Sequence, residues 1–316
     1  MSFIEIKNLK VHYPIRGGFF NRIVDHVYAV DGVDLMIEKG KTYGLVGESG
    51  SGKSTIGKAI IGLEKIKDGT ITYEGKVIEK RRSRKSDYNQ NIQMIFQDPQ
   101  ASLNPRMTVG DIVAEGIDIH KLASSKKERM EKVYSLLEIV GLNREHASRF
   151  PHEFSGGQRQ RIGIARALGV NPEILVCDEP ISALDVSIQA QVVNLLKDLQ
   201  KQRNLTLLFI AHDLSMVKYI SDRVAVMYRG KVVELGKPED VYNDPVHSYT
   251  KSLISAVPVA DPDFKRHEKV EMEETYLRSP VGNVSEINYI PEESELTEYK
   301  PGHFVETSFL LEHKLI

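Results

Sequence analysis

Nine consecutive residues, Gly47, Glu48, Ser49, Gly50, Ser51, Gly52, Lys53, Ser54 and Thr55, carry the most legible chemistry in this chain. The glycines permit backbone conformations closed to other residues, so successive amide N–H groups can converge on one anion. The apolar run Tyr43 to Val46 before the loop reads as a strand, and Thr55 to Ile61 after it as a helix stopped by Gly62. Strand, glycine-rich loop and helix in that order place a phosphate at a helix N-terminus, where the helix dipole is positive. Lys53 would then reach the β- and γ-phosphates, and the Ser54 hydroxyl would ligate Mg²⁺. A flexible Gly/Ser turn would explain the glycines but not the Lys-Ser pair directly after the last of them. The loop predicts a nucleoside triphosphate site.

Two further clusters bear on that site. Ser155-Gly156-Gly157-Gln158 precedes an apolar-striped helix through Ile162, Ala165 and Leu168, which makes a second anion-binding arrangement of bare amides and a hydroxyl. One ATP needs only one phosphate loop, so a second cradle implies a second ATP. Ile174 to Cys177 is a run of four apolar residues ending in Asp178 and Glu179. A buried strand would deliver both carboxylates to the C-terminal edge of a parallel sheet, where ligands bind in open α/β folds. Asp178 there would hold Mg²⁺ through water.

With Phe154-Ser155-Gly156-Gly157-Gln158 beside the phosphate loop, residues 3 to about 260 resemble the ATP-binding cassette (ABC) family. Phe154 replaces the leucine usual at the first signature position. The resemblance implies a P-loop α/β core with an antiparallel β subdomain and an inserted α-helical subdomain. It makes Glu179 the carboxylate that polarises the attacking water, and His212 the switch histidine that contacts the γ-phosphate. Gln97 becomes the Q-loop glutamine that senses Mg²⁺ and water, and Asp185, in Ser182-Ala183-Leu184-Asp185, lies in the loop that links two active sites. Tyr13 fits the aromatic that stacks on adenine, with Tyr28 as its rival because an insertion disturbs the spacing. The segments 97–108, 182–191 and 247–258 look like ATPases of oligopeptide and dipeptide importers, most closely their F-type subunit. Ser248 stands where that group commonly has proline, and the tail lacks the cysteine cluster that many of its members carry.

The family resemblance further implies two cassettes closing head to tail, each ATP lying between one chain's phosphate loop and the other's Ser-Gly-Gly. The expected partners are a second, similar but non-identical ABC ATPase, two transmembrane permease subunits and an extracytoplasmic solute-binding protein. The expected place is the cytoplasmic face of the cell membrane. Importers of nickel chelates or other solutes carry similar cassettes. A soluble ABC ATPase of DNA maintenance or ribosome work is disfavoured, because the chain has neither a long coiled-coil insert nor a second cassette. Intact Asp178, Glu179 and His212 speak against a non-hydrolysing regulator.

The elements that must position these residues are legible in outline. Phe3 to Leu9, Tyr28 to Val30 and Val33 to Ile37 read as strands, and Pro14 to His26 between them as a loop insertion. Ile112, Val113, Gly116 and Ile117, then Met130, Val133, Leu137 and Val140, form helical stripes within an island interrupting the strands. Ser125 with Glu128 predicts a capping box, and Gly141 a stop. Ile188, Val192, Leu195 and Leu199 mark another helix; Thr206 to Ile210 and Val224 to Tyr228 are further strands. The expected domains are a cassette over 1–260, with its helical subdomain at about 98–165, and an extension over 261–316. That extension is rich in proline and acidic residues, and is expected to be irregular and loosely packed, with short strands.

Composition constrains the rest. Lys plus Arg (42) nearly balances Asp plus Glu (44), so no global charge favours nucleic acid, and the short basic run Lys80 to Lys85 reads as a solvated loop. The segment Met1 to Lys7 lacks the apolar run of a signal peptide, and no stretch of about 18 apolar residues occurs. The single cysteine, Cys177, sits in an apolar strand and reads as a core residue. Cytoplasm is the expected compartment.

Overall fold

The computed structural model describes residues 3–18, 20–78, 88–256 and 295–316. These fall into two compact units, one within Met1–Glu38, Tyr43–Lys80 and His212–Ile316, the other within Lys39–Thr42 and Arg81–Ala211.

The first unit opens with β1 (Ile4–Gly17) and β2 (Arg22–Ile37), a long antiparallel hairpin. The predicted loop at 14–26 is therefore mostly strand. Ile15, Ile23, Val24 and Val27 supply β-branched residues that sustain pairing. Pro14 is tolerated because β1 pairs with a strand on its other side only as far as Lys10. The phosphate loop follows β3 (Thr42–Val46), all five residues of which are buried, and leads into α1 (Lys53–Ile60). Next come β4 (Asp68–Tyr73) and β5 (Lys76–Val77), which complete a four-stranded sheet of order β2-β1-β4-β5. On the core face of β1 and β2, Ile4, Ile6, Val33, Leu35 and Ile37 are buried, while Asp34 and Met36 point outward.

Beyond Lys39–Thr42, the second unit continues, among the described residues, with α2 (Tyr88–Asn91) and β6 (Ile92–Ile95). Four helices follow: α3 (Pro99–Ser102), α4 (Val109–Ile119), α5 (Lys126–Ile139) and α6 (Gly156–Leu168). Most of both helical stripes read from sequence faces the interior: Ile112, Val113, Ile117, Val133, Leu137 and Val140 are all at most 2% exposed, while Gly116 and Met130 are half-buried. Thr108 caps α4 by accepting from the Asp111 amide, and its hydroxyl, helped by Arg129, holds the Asp111 carboxyl below its ordinary value. The capping box at α5 is only half formed. Ser125 Oγ accepts from the Glu128 amide, but the Glu128 carboxylate turns to the hydroxyl and amide of Ser124 instead of Ser125. Those two donors hold the Glu128 carboxyl down at about 2. Gly141, at φ +74°, ends the helix as expected.

β7 (Ile174–Asp178) and β8 (Thr206–Ala211) run parallel to each other and to β6, and every residue of β7 and β8 is buried. Continuous apolar runs are what a parallel sheet covered on both faces demands. Cys177 is fully buried in β7, and burial pushes its thiol far above the ordinary range. Between these strands lies α7 (Val186–Arg203), whose buried stripe is Val192, Val193, Leu196 and Leu199; Leu195 is only half-buried, one position off the expected face.

The chain then returns to the first unit through α8 (Leu214–Ile220), β9 (Arg223–Tyr228), β10 (Lys231–Gly236), α9 (Pro238–Asn243) and α10 (Ser248–Ser255). β9 pairs parallel with β3 and antiparallel with β10. The basic run at 80–85 and residues 257–294, with the end of the segment 247–258, lie outside the described residues. The short strands expected in the extension are β11 (Leu296–Lys300) and β12 (His303–Glu306), followed by α11 (Thr307–Glu312). They are well packed: β12 pairs with β10, Glu234 opposite Val305, and Val305, Phe309 and Leu310 form an apolar cluster with Val246.

Phe309 is 3% exposed, and its ring lies 4.4 Å from that of His247. Phe309→Ala is expected to cost about 3 kcal/mol in a core of this kind. Amide exchange over 296–312 should rise, which mass spectrometry of the deuterated peptides would read; unchanged protection there would contradict the docking of the tail.

Candidate functional site

In the first unit, the phosphate loop owes its shape to close backbone approaches. Gly47 (φ +151°) and Gly52 (φ +105°) lie so close to neighbouring strands that a Cβ would stand 2.1 Å from Met227 O and 2.0 Å from Ala29 O, respectively. Gly50 (φ +83°) faces open space. The Ser51 amide donates to Glu48 O at 3.2 Å, and Ser51 O accepts from the Gly230 amide at 3.0 Å, tying the loop to the β9–β10 turn. Lys53 is buried at 3% exposure and folded into the loop. Its Nζ donates to Gly47 O and Glu48 O, each at 2.7 Å, and to Ser51 Oγ at 3.3 Å. No side chain caps α1 and no acidic residue stands in its first turn, which suits an anion there. Glu48, Ser49 and Gly50 are exposed; Ser54 and Thr55 are half-buried.

Tyr13 stands opposite Val27 in the hairpin, and its half-exposed ring directs the hydroxyl to Thr55 and Glu64. Partial burial raises that hydroxyl above its ordinary value. Tyr28 stands opposite His12, on the other face, with its ring 4.5 Å from that of His12. Burial lowers the His12 imidazole against the opposing pull of Asp31, whose Oδ1 lies 3.1 Å from Nε2. The Tyr28 ring is thus engaged by His12, whereas the Tyr13 hydroxyl reaches Thr55 at the end of the phosphate loop. His212 is exposed directly after β8, held beside Asp213, which caps α8 through the Ser215 and Met216 amides.

In the second unit, β7 ends in Asp178, buried at 4% exposure, and Glu179. Glu179 adopts φ +44°, a left-handed conformation uncommon for a non-glycine residue, and such strain collects at functional sites. The turn is fastened on both sides: the Glu179 amide donates to Ile210 O, and Glu179 O accepts from Ser182 Oγ. Its carboxylate accepts from Gln97 Nε2 at 2.8 Å, so two residues 82 positions apart are brought together.

Ser155 and Gln158 form a reciprocal capping box at α6: Ser155 Oγ accepts from the Gln158 amide and Gln158 Oε1 from the Ser155 amide. The Ser155 hydroxyl hydrogen remains for an anion. A Cβ on Gly157 would stand 2.4 Å from Ile188, so this glycine lets α6 and α7 approach. Asp185 begins α7 exposed, next to Val186, which is 76% exposed. Gln189 braces the loop between, donating to Ile181 O and Leu184 O.

Sequence reasoning overlooked two of these supports. Gln189 and Tyr249 both stood in recognised segments without a role, yet Gln189 braces the loop and the Tyr249 phenol oxygen accepts from the Glu48 amide at 2.8 Å. Among the described residues, no three His, Cys, Asp or Glu cluster as metal ligands, and no helix is long and apolar enough to cross a membrane.

Residues 30–182 match the ABC transporter family and residues 233–282 the oligopeptide/dipeptide transporter C-terminal region. The chain is 58% identical to the oligopeptide transport ATP-binding protein OppF of Bacillus subtilis, over 96% of this chain and 95% of that one. It is 53% identical to OppF of Streptococcus mutans, over 96% and 94%. The dipeptide transport ATP-binding protein DppF of Lactococcus lactis subsp. cremoris matches at 53%, over 96% and 93%. Among solved structures, the dimeric ATP-binding cassette MJ0796 in a post-hydrolysis state with ADP and Pi has a TM-score of 0.66 at 28% identity, covering 74% of this chain and 98% of that one. The corresponding values for cbiO1 of Clostridium perfringens, part of the ABC transporter complex cbiONQ, are 0.65, 26%, 77% and 91%. With the family match over residues 30–182 and identity above half to a transport ATP-binding protein along almost its whole length, the chain belongs to the ABC transporter ATPases.

Proposed function

We propose that this chain binds and hydrolyses ATP to energise a peptide importer. The observation that carries the reading is the phosphate loop, with Lys53 buried inside it and an uncapped helix N-terminus beyond. The Lys53 ammonium is satisfied by two carbonyls and a hydroxyl that phosphate oxygens can replace. The loop from Gly47 to Thr55 cradles the phosphates, and Tyr13 stacks on adenine. Identity above 50% to oligopeptide and dipeptide transport proteins supports the peptide class.

Hydrolysis falls to Glu179, which orients and polarises the attacking water, with His212 at the γ-phosphate and Gln97 holding the carboxylate in place. Ser54, Asp178 and Gln97 offer a hydroxyl, a carboxylate and an amide oxygen. These hard donors fit Mg²⁺, which takes few protein ligands beside phosphate and water. Bound there, the cation would neutralise charge developing on the phosphates. Ser155, Gly156, Gly157 and Gln158, with Asp185, complete the site of a second, homologous ATPase. Dimeric MJ0796 supports that pairing. Two permeases and an extracytoplasmic solute-binding protein complete the importer, with this chain on the cytoplasmic face of the membrane. The cassette spans 1–260, its helical subdomain about 98–165, and the extension 261–316.

Three substitutions test the assignment. Lys53→Ala removes the cation of the cradle and is expected to abolish tight ATP binding in a fluorescent-nucleotide titration; wild-type affinity would refute the loop's role. Tyr13→Ala should weaken ATP binding roughly ten- to a hundred-fold, the worth of one base–aromatic stack. The same loss in Tyr28→Ala alone would transfer the role to Tyr28. Glu179→Gln should bind ATP normally but release phosphate at least about a hundred-fold more slowly, the usual contribution of a positioned base. Size-exclusion chromatography with ATP and the partner ATPase should show a longer-lived cassette pair, and undiminished turnover would remove Glu179 from catalysis.

A further inference from the structure

Glu234, in the middle of β10, is a carboxylate with no exposure at all. Such a group is tolerated in the interior only when its oxygens are filled by donors. Three of them come from two different segments. Oε1 accepts from the Val246 amide at 3.0 Å and lies 2.7 Å from His303 Nε2, while Oε2 accepts from the His247 amide at 3.0 Å. His303 is the first residue of β12, in the C-terminal extension. Glu234 therefore fastens the extension to the residues that begin α10.

His247 carries the arrangement one step further. Its Nδ1 accepts from the Tyr249 amide at 3.1 Å, which caps α10 and fixes where Tyr249 leaves the helix. Tyr249 is 1% exposed, and its ring lies 4.2 Å from that of Tyr228. Its hydroxyl ends on the Glu48 amide at 2.8 Å, inside the phosphate loop and 201 positions away in sequence. Burial raises the Tyr249 hydroxyl above its ordinary range, so it remains a neutral phenol.

The Glu48 carbonyl is among the oxygens that hold Lys53. The peptide unit around Glu48 is thus gripped from both sides, by Tyr249 at its amide and Lys53 at its carbonyl. When phosphate draws Lys53 outward, the Tyr249 hydroxyl is the grip that remains.

We propose that Tyr249 is a positioning residue for ATP, its hydroxyl holding the phosphate loop in its nucleotide-receiving shape, and that the C-terminal β-hairpin sets Tyr249 through Glu234 and His247. This rests on the loop being the ATP site. A residue that pre-organises a loop lowers the conformational cost of binding and leaves the chemical step alone.

Tyr249→Phe removes the hydroxyl and keeps the ring on Tyr228. In the full chain, the dissociation constant of a fluorescent ATP analogue and the KM for ATP are expected to rise about two- to ten-fold, the range for one hydrogen bond. Phosphate release at saturating ATP should change by less than about two-fold. The Glu48 amide, followed by ¹⁵N NMR without nucleotide, should exchange faster than in the wild type. That last readout is independent of ATP, so a wild-type chain that fails to bind ATP overturns the proposed function while the loop contact is still judged. Faster Glu48 exchange with unchanged KM would overturn the positioning role, as would a parallel fall in kcat and melting temperature with KM unmoved. His303→Ala tests the extension: a smaller shift of KM in the same direction is expected. Wild-type KM in His303→Ala beside a raised one in Tyr249→Phe would overturn the link from the tail.

Discussion

The burial of Lys53 is the constraint around which the nucleotide-facing part of the first unit is arranged. An ammonium at 3% exposure must find oxygens, and it finds them within its own loop. For Gly47 and Glu48 to turn their carbonyls inward, the chain must curl tightly enough to meet neighbouring backbone at both Met227 and Ala29. Only glycine fits at positions 47 and 52, since both the dihedral and the space exclude a Cβ. β3, β9 and the end of β2 must in turn be rigid, and buried apolar pairing in parallel with β9 makes β3 so.

A different economy operates in the second unit. Fully apolar strands have no polar side chain to spare, so the chemistry begins where β7 ends. Asp178 keeps the strand's direction, while Glu179 leaves it through a left-handed turn that would open if unsupported. The Ile210 carbonyl and the Ser182 hydroxyl hold it, and Gln97 takes the carboxylate. Local strain is thus offset by one bond within the turn and bonds to two separate segments, which fixes the direction of the acid more firmly than packing alone.

The motifs were legible because each is local: glycine spacing, a cap, or an apolar run ending in carboxylates can be read within ten residues. The misreadings came where the deciding contact is distant. Pro14 and Gly17 suggested a loop, but both pair with β2 as far as Gly17 opposite Arg22, and that pairing outweighs the turn signals everywhere except the tip at Gly18. The stripe of α7 was placed one residue off at Leu195 because a helix exposed at its first turns leaves the phase of its buried face open. Proline and acidic residues made the extension look loose throughout, yet Val305, Phe309 and Leu310 form an apolar cluster. Nothing within the segment 247–256 announces that the Tyr249 hydroxyl will meet a loop 201 residues earlier.

Cys177 has a practical consequence. It is the one cysteine in the chain, which also contains no tryptophan. Buried in β7 with its thiol raised, it has neither the access nor the thiolate character that alkylating reagents require. The natural protein is in effect already blank for thiol chemistry and for indole fluorescence. A cysteine or tryptophan placed beside the phosphate loop, on the exposed α7 N-terminus or on the tail would report from that site alone, with the native strand left intact.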